Sequence, residues 1–148
     1  MVGGGNIDPW SSEQSTDYDR MIEQFGLTPI DLGSIPNPGM LHRRGIVFAH
    51  RDMDVITDSI TKGDPFGVLT GLMPSGRMHL GHSMVIEQVR WFQEQGADVT
   101  VAVADLEALA TRGTSLSKGR ETALREYVLN YAALGLNSDK TSVYFQSS

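Results

Sequence analysis

The sequence predicts an α/β fold on a doubly wound parallel sheet, and three observations carry that prediction. Three β-rich runs, Phe66-Gly-Val-Leu-Thr70, Val99-Thr-Val-Ala-Val-Ala104 and Ser142-Val-Tyr-Phe-Gln146, alternate with stretches of helical periodicity. The helical stretches close on glycines, at Gly96 and Gly135. The loop Leu69-Thr-Gly-Leu-Met-Pro-Ser-Gly-Arg-Met-His-Leu-Gly-His82 follows the first run, read as a buried strand, and opens a helix. That is the place where α/β proteins bind nucleotide phosphates.

The elements follow in order. Residues 1–16 are rich in glycine and serine and read as a flexible arm, interrupted by Asp8-Pro9-Trp10. Asp17 is a candidate cap for a helix over 18–25, with Tyr18, Met21, Ile22 and Phe25 on one face and Gly26 as its stop. Residues 28–40 carry Pro29, Pro36 and Pro38 and read as an irregular connection. Gly45-Ile-Val-Phe-Ala49 reads as a short strand or tight segment. A helix starting at Asp52 or Asp54 runs to Lys62 and stops at Gly63-Asp-Pro65. The helix from Leu80 to Gln95 places Met84, Val85, Val89 and Phe92 on one face. The run at Val99 is compatible with a central strand buried on both faces. A short helix over Asp105–Ala110 follows, then a longer one capped by Ser115 or Ser117 and reaching Leu134. The strand ends expected to line a site are Leu69 to Gly71, Ala104 to Glu107 and Gln146 to Ser148. The organisation expected is an arm and short helix over 1–44 and an α/β unit over 45–148.

Composition narrows the classes. With 148 residues, 40% hydrophobic and 20% charged, the chain is long enough for one domain with its own core. It has no cysteine, which excludes disulfides, thiolate metal sites and cysteine nucleophiles. Its start is neither basic nor apolar, unlike a signal peptide, and no apolar run approaches membrane-spanning length. The net charge of −6 and scattered arginines form no basic stripe for nucleic acid. A cytoplasmic location fits this composition.

Gly71-Leu-Met-Pro-Ser-Gly76 has the glycine spacing of a P-loop, but Arg77 and Met78 stand where lysine and a hydroxyl residue are required, and Pro74 removes an amide. The dinucleotide fingerprint fails as well. His79 and His82 offer another chemistry. Three apart at a helix start, their ring nitrogens can donate to phosphate oxygens beside free helix amides. Gly81 lets a flat base or ribose approach the backbone. Such a site would stabilise charge building on an α-phosphate in nucleotidyl transfer. A metal-binding pair and two solvent-facing histidines are the alternatives at this level.

Pro74-Ser-Gly-Arg-Met-His-Leu-Gly-His82 resembles the ATP-binding signature of class I aminoacyl-tRNA synthetases. Asp8-Pro-Trp10, Asp17-Tyr18-Asp19, Arg43-Arg-Gly-Ile-Val-Phe-Ala-His-Arg-Asp52 and Lys62-Gly-Asp-Pro-Phe66 narrow the resemblance to the amino-terminal region of tryptophanyl-tRNA synthetases of the archaeal and eukaryotic type. The resemblance runs from about residue 7 to the end. It implies the first half of a Rossmann-type doubly wound parallel sheet with an amino-terminal arm. It implies ATP-dependent activation of tryptophan to its adenylate, transfer to tRNA, and ATP with Mg2+ as the cofactor, with no resident metal site. His79 and His82 would be the catalytic pair; Ser75, Gly76, His79, Gly81 and His82 would bind ATP; Leu69, Gly71 and Glu107 would line the amino-acid pocket, Glu107 meeting the substrate ammonium. Asp105 is read equally as a helix cap. The parent enzyme would be a homodimer, with tRNA bound through parts of the chain not present here.

Two positions depart from the family pattern. Leu69 replaces a tyrosine that touches the substrate ring, and Ala102 replaces a glutamine near the indole in the eukaryotic enzymes. Loss of a polar partner at Leu69 argues against a tyrosine substrate, whose selection rests on a hydrogen bond to its hydroxyl. The Lys-Met-Ser-Lys-Ser signature of the second lobe does not occur; Leu116-Ser-Lys118 reads as a helix start. The chain is therefore expected to be a piece of a longer enzyme, inactive alone and prone to aggregate around its last strand. The alternatives are a tyrosyl-tRNA synthetase-like piece, a small nucleotidylyltransferase using the His-x-Gly-His pair, and a non-catalytic module.

Overall fold

The structure, a computed structural model, describes residues 18–148. The arm, Asp8-Pro9-Trp10 and the Asp17 cap lie outside the described residues. The chain forms two compact units that divide after Thr57.

The described part of the first unit opens with α1 (Tyr18–Phe25), which stops at Gly26 with φ +59°. Its Tyr18 ring lies 4.5 Å from that of Phe48. Two short strands, β1 (Thr28–Pro29) and β2 (Ala49–His50), pair antiparallel, Thr28 opposite His50. Between them lies α2 (Met40–Arg43), four residues that the proline-rich reading of 28–40 passed over. Gly45 sits at φ +66°; its amide bonds the His42 carbonyl and the Ile46 amide bonds the Leu41 carbonyl. This is a helix-closing motif. It is why Gly45 to Val47 takes the tight-segment form of the two readings offered for 45–49, and only Ala49 enters a strand. Helix α3 (Met53–Lys62) follows; its first amide donates to Nδ1 of His50, not to Asp52 or Asp54.

The second unit is built on three parallel strands, β3 (Gly67–Leu72), β4 (Asp98–Val103) and β5 (Thr141–Phe145), ordered β3-β4-β5. Helix α4 (Leu80–Glu94) connects the first two. The second connection holds α5 (Asp105–Arg112), then a run capped at Ser115: α6 (Leu116–Thr122), a π-helical segment Ala123–Val128 and α7 (Leu129–Ala133). Gly96, Gly113 and Gly135 end these helices at φ +111°, +63° and +92°.

Apolar side chains from both helical layers meet one face of the sheet: Ile86 and Val89 of α4, Ala123, Tyr127 and Tyr131, against Val99, Val101 and Val103. Each of these valines is at most 2% exposed and contributes about 2 kcal/mol by burial. Three expectations change here. Strand β4 is central, but only its valine face is fully buried; Thr100 and Ala102 are half-buried. The face of α4 turned inward runs through Ile86, Val89 and Gln93, while Met84 and Val85 are 36% and 52% exposed. A buried polar residue hid that stripe from periodicity: the Gln93 side chain accepts from the Asn137 amide at 2.7 Å and donates to Thr141 Oγ1 at 2.9 Å, joining α4 to the approach of β5. Finally, β3 pairs on one side only among the described residues and is not buried, with Leu69 69% exposed.

Candidate functional site

The site grows from the carboxyl end of β3. That strand runs two residues past Thr70, so Gly71 and Leu72 are strand residues and Gly71 bounds no loop. The loop begins at Met73, where the Ser75 amide closes a tight turn onto the Met73 carbonyl at 2.8 Å. Pro74 is fully buried, its ring 3.7 Å from where a side chain on Gly119 of α6 would begin. Met78 packs against the core. Two residues that spoil a P-loop thus anchor this loop to the unit beneath it. Ser75, Gly76 and Arg77, between the anchors, are exposed.

His79 caps α4 and stays exposed; His82, in the first turn, is half-buried. The His79 amide donates to Nδ1 of His82 at 3.3 Å, and the two rings lie 4.0 Å apart. A neutral imidazole that accepts at Nδ1 carries its proton on Nε2, so His82 is left as a single-direction donor. Burial, and then the charge of His79, hold the His82 pKa below the ordinary histidine value. Gly81 lies against this pair: a Cβ there would come within 3.2 Å of the His79 ring. The amides of the first turn and the positive end of the α4 dipole complete an anion-binding corner. Ser75, Gly76, His79, Gly81 and His82 therefore form one continuous surface from loop to helix start.

His82 also meets a residue that the sequence reading did not single out. Tyr127, in the π-helical segment, sets its ring edge-on to His82 at 5.4 Å and 85°. Burial raises the Tyr127 pKa above the ordinary tyrosine value. The available signal was the pair of tyrosines, Tyr127 and Tyr131, four apart on an otherwise mixed helix.

The other candidates lie on the neighbouring strands. Leu69 and Gly71 stand on the face of β3 opposite the core, beside Thr100 and Ala102 of β4. Leu69 is inside the strand rather than at its end. Glu107 is exposed in the first turn of α5, just past β4. Asp105, two residues earlier, is 1% exposed. It is the first residue of α5, not its cap. Its carboxylate accepts from the Ser147 amide and hydroxyl and from the Leu106 amide, tying the ends of β4 and β5 together. Burial pushes this carboxyl up, but these hydrogen bonds outweigh it and hold the pKa below the ordinary range. Among the described residues no group of three or more His, Cys, Asp or Glu side chains is placed to hold a metal.

Residues 61–148 match the family described as tRNA synthetases class I (W and Y). The chain belongs to that family of class I aminoacyl-tRNA synthetases. Among curated relatives, it is 47% identical to the tryptophan–tRNA ligase of Methanosarcina acetivorans over 95% of this chain and 32% of that one. It is 41% identical to the tryptophan–tRNA ligase of Methanocaldococcus jannaschii over 95% of this chain and 39% of that one. The solved tryptophanyl-tRNA synthetase of Aeropyrum pernix superposes with a TM-score of 0.83 at 40% identity, covering 96% of this chain and 40% of that chain. The tryptophan-bound enzyme of Encephalitozoon cuniculi gives 0.79 at 27% identity, covering 88% and 41%. The parallel sheet is the Rossmann-type sheet of these neighbours, and the chain spans about two fifths of their length or less.

Proposed function

We propose that this chain supplies the ATP-binding half of a tryptophan–tRNA ligase, which activates tryptophan to its adenylate and transfers it to tRNA. The observation that carries this is the His79–His82 corner at the start of α4, where one histidine fixes the other's donor direction. The α-phosphate of ATP would rest there. A tryptophan carboxylate oxygen attacks that phosphorus, the bond to the bridging oxygen breaks, and pyrophosphate leaves. Negative charge grows on the α-phosphate oxygens during attack. His82 Nε2–H, His79 and the helix amides are fixed beforehand to meet it, which is why they favour the transition state over bound ATP. The exposed backbone of Ser75, Gly76 and Gly81 shapes the nucleotide surface. Mg2+ would enter with ATP, on its phosphates.

Leu69, Gly71 and Glu107 are assigned to the amino acid. Glu107 offers a carboxylate for the ammonium group, and Leu69 an apolar contact for an aromatic ring. Leu69 has no hydrogen-bonding group for a phenol, so tyrosine gains nothing there. A tRNA partner, a homodimeric enzyme and a cytoplasmic location belong to the same proposal; no described helix is long and apolar enough to cross a membrane.

The test is amino-acid-dependent exchange of pyrophosphate into ATP by the enzyme that carries this sequence. Exchange with tryptophan and not tyrosine is expected, and His82→Ala should reduce it at least about 100-fold if the histidine acts in the transition state. Exchange driven by tyrosine would overturn the substrate; exchange with neither would overturn the activity.

A further inference from the structure

The segment that opens α4 carries an electrostatic imbalance. A helix N-terminus is the positive end of its dipole, and an acidic side chain in the first turn is its usual complement. Helix α4 has no acid there. The loop before it, Met73 to His79, has none either and adds a cation, Arg77. Among the described residues Arg77 makes no hydrogen bond or ion pair, whereas Lys62, Arg90 and Arg125 of the same unit each hold a carboxylate. Arg77 is exposed, yet the chain on either side of it is fixed, by buried Pro74 and by Met78 against the core. The fold thus holds a guanidinium where its own electrostatics disfavour one. A local rule broken in an anchored segment is expected at a functional site, and the partner this one lacks is an anion.

We propose that Arg77 binds the β- and γ-phosphates of ATP, and with them the pyrophosphate that leaves. The proposal rests on the reading of His79 and His82 as the corner for the α-phosphate. Arg77 stands two residues before His79, at most about 7.6 Å between Cα atoms, which its long side chain can span. Its guanidinium is a planar fork that suits two phosphate oxygens at once. As the tryptophan carboxylate oxygen bonds to the α-phosphorus, the electron pair of the breaking P–O bond moves onto the bridging oxygen of pyrophosphate. Arg77 meets the charge on that side, and the histidines meet it on the α-phosphate.

Arg77→Gln removes the charge and keeps a polar side chain. In pyrophosphate exchange by the enzyme that carries this sequence, the KM values for ATP and for pyrophosphate are expected to rise about 10- to 100-fold, the effect of lost charge-assisted hydrogen bonds. Arg77→Lys, which keeps the charge without the fork, should fall in between. AMP lacks the β- and γ-phosphates and should inhibit the Arg77→Gln enzyme as well as it inhibits wild type. Without nucleotide, Arg77→Gln should melt at or above the wild-type temperature, because a cation has left the positive end of α4. Unchanged KM values for ATP and pyrophosphate overturn the proposal. An equal loss of AMP inhibition overturns it as well, by marking a misshapen loop, and so does a lower melting temperature, by marking Arg77 as a support of the fold. A wild-type enzyme without ATP exchange would instead show that the nucleotide reading itself had failed, before any variant was made.

Discussion

Asp105 shows what one buried charge does in this unit. A carboxylate at 1% exposure is tolerable only because Ser147 and Leu106 saturate it. Removing it in Asp105→Ala should destabilise the unit by about 2 kcal/mol, measured by denaturant unfolding at neutral pH. Its folded pKa lies below the unfolded one. Its contribution is therefore fully present above the unfolded carboxylate value and is lost as pH falls through the folded value. The gap between Asp105→Ala and wild type should accordingly close in acid; a gap independent of pH would contradict the hydrogen-bond account. The sequence made Asp105 a helix cap or a ligand because Ser147 is distant in the chain; only strand order brings it near. His82 follows the same sign rule. With its pKa held low by burial and by His79, its imidazole should titrate, by NMR, below the ordinary histidine midpoint.

At the scale of elements, local chemistry was legible wherever a residue acts on its own backbone. Gly26, Gly63, Gly96 and Gly135 were read as helix stops and adopt positive φ. Ser115 or Ser117 was read as a cap, and it is the Ser115 hydroxyl that accepts from the Lys118 amide. The start of α4 was equally readable, because glycine and two histidines act within one turn. Here stability and function should part. Gly81→Ala improves helix propensity by up to about 1 kcal/mol, yet its Cβ would press the His79 ring at 3.2 Å. His79 is exposed and can swing aside. The variant should melt no lower than wild type and yet show a raised KM for ATP. A lower melting point with unchanged KM would refute the close-approach role of Gly81. What was lost at this scale was amphipathic direction. Met84 and Val85 looked inward-facing on α4, but Gln93, paired to the approach of β5, marks the buried side. Helix α2 was lost because four residues carry no period.

At the scale of the molecule, both outer strands matter. Among the described residues, β3 and β5 each pair on one side only, and β3 exposes Leu69 beside its free backbone edge. Open edges of this kind template association. The 148-residue chain should therefore self-associate with rising concentration, as read by sedimentation; a monodisperse monomer with a cooperative melt would contradict this. The sequence by itself determined the α/β class, the alternation of strands and helices after residue 66, the helix stops and the rejection of a P-loop, and it singled out the histidine pair as the candidate corner. All of these rest on interactions within a turn or on covalent geometry. Only the tertiary structure decided that β3 pairs on one side among the described residues, that α4 turns Gln93 inward, that Asp105 binds Ser147, and that Tyr127 meets His82. Those contacts join residues far apart in the chain, and no local period or spacing encodes which distant surface a side chain will meet.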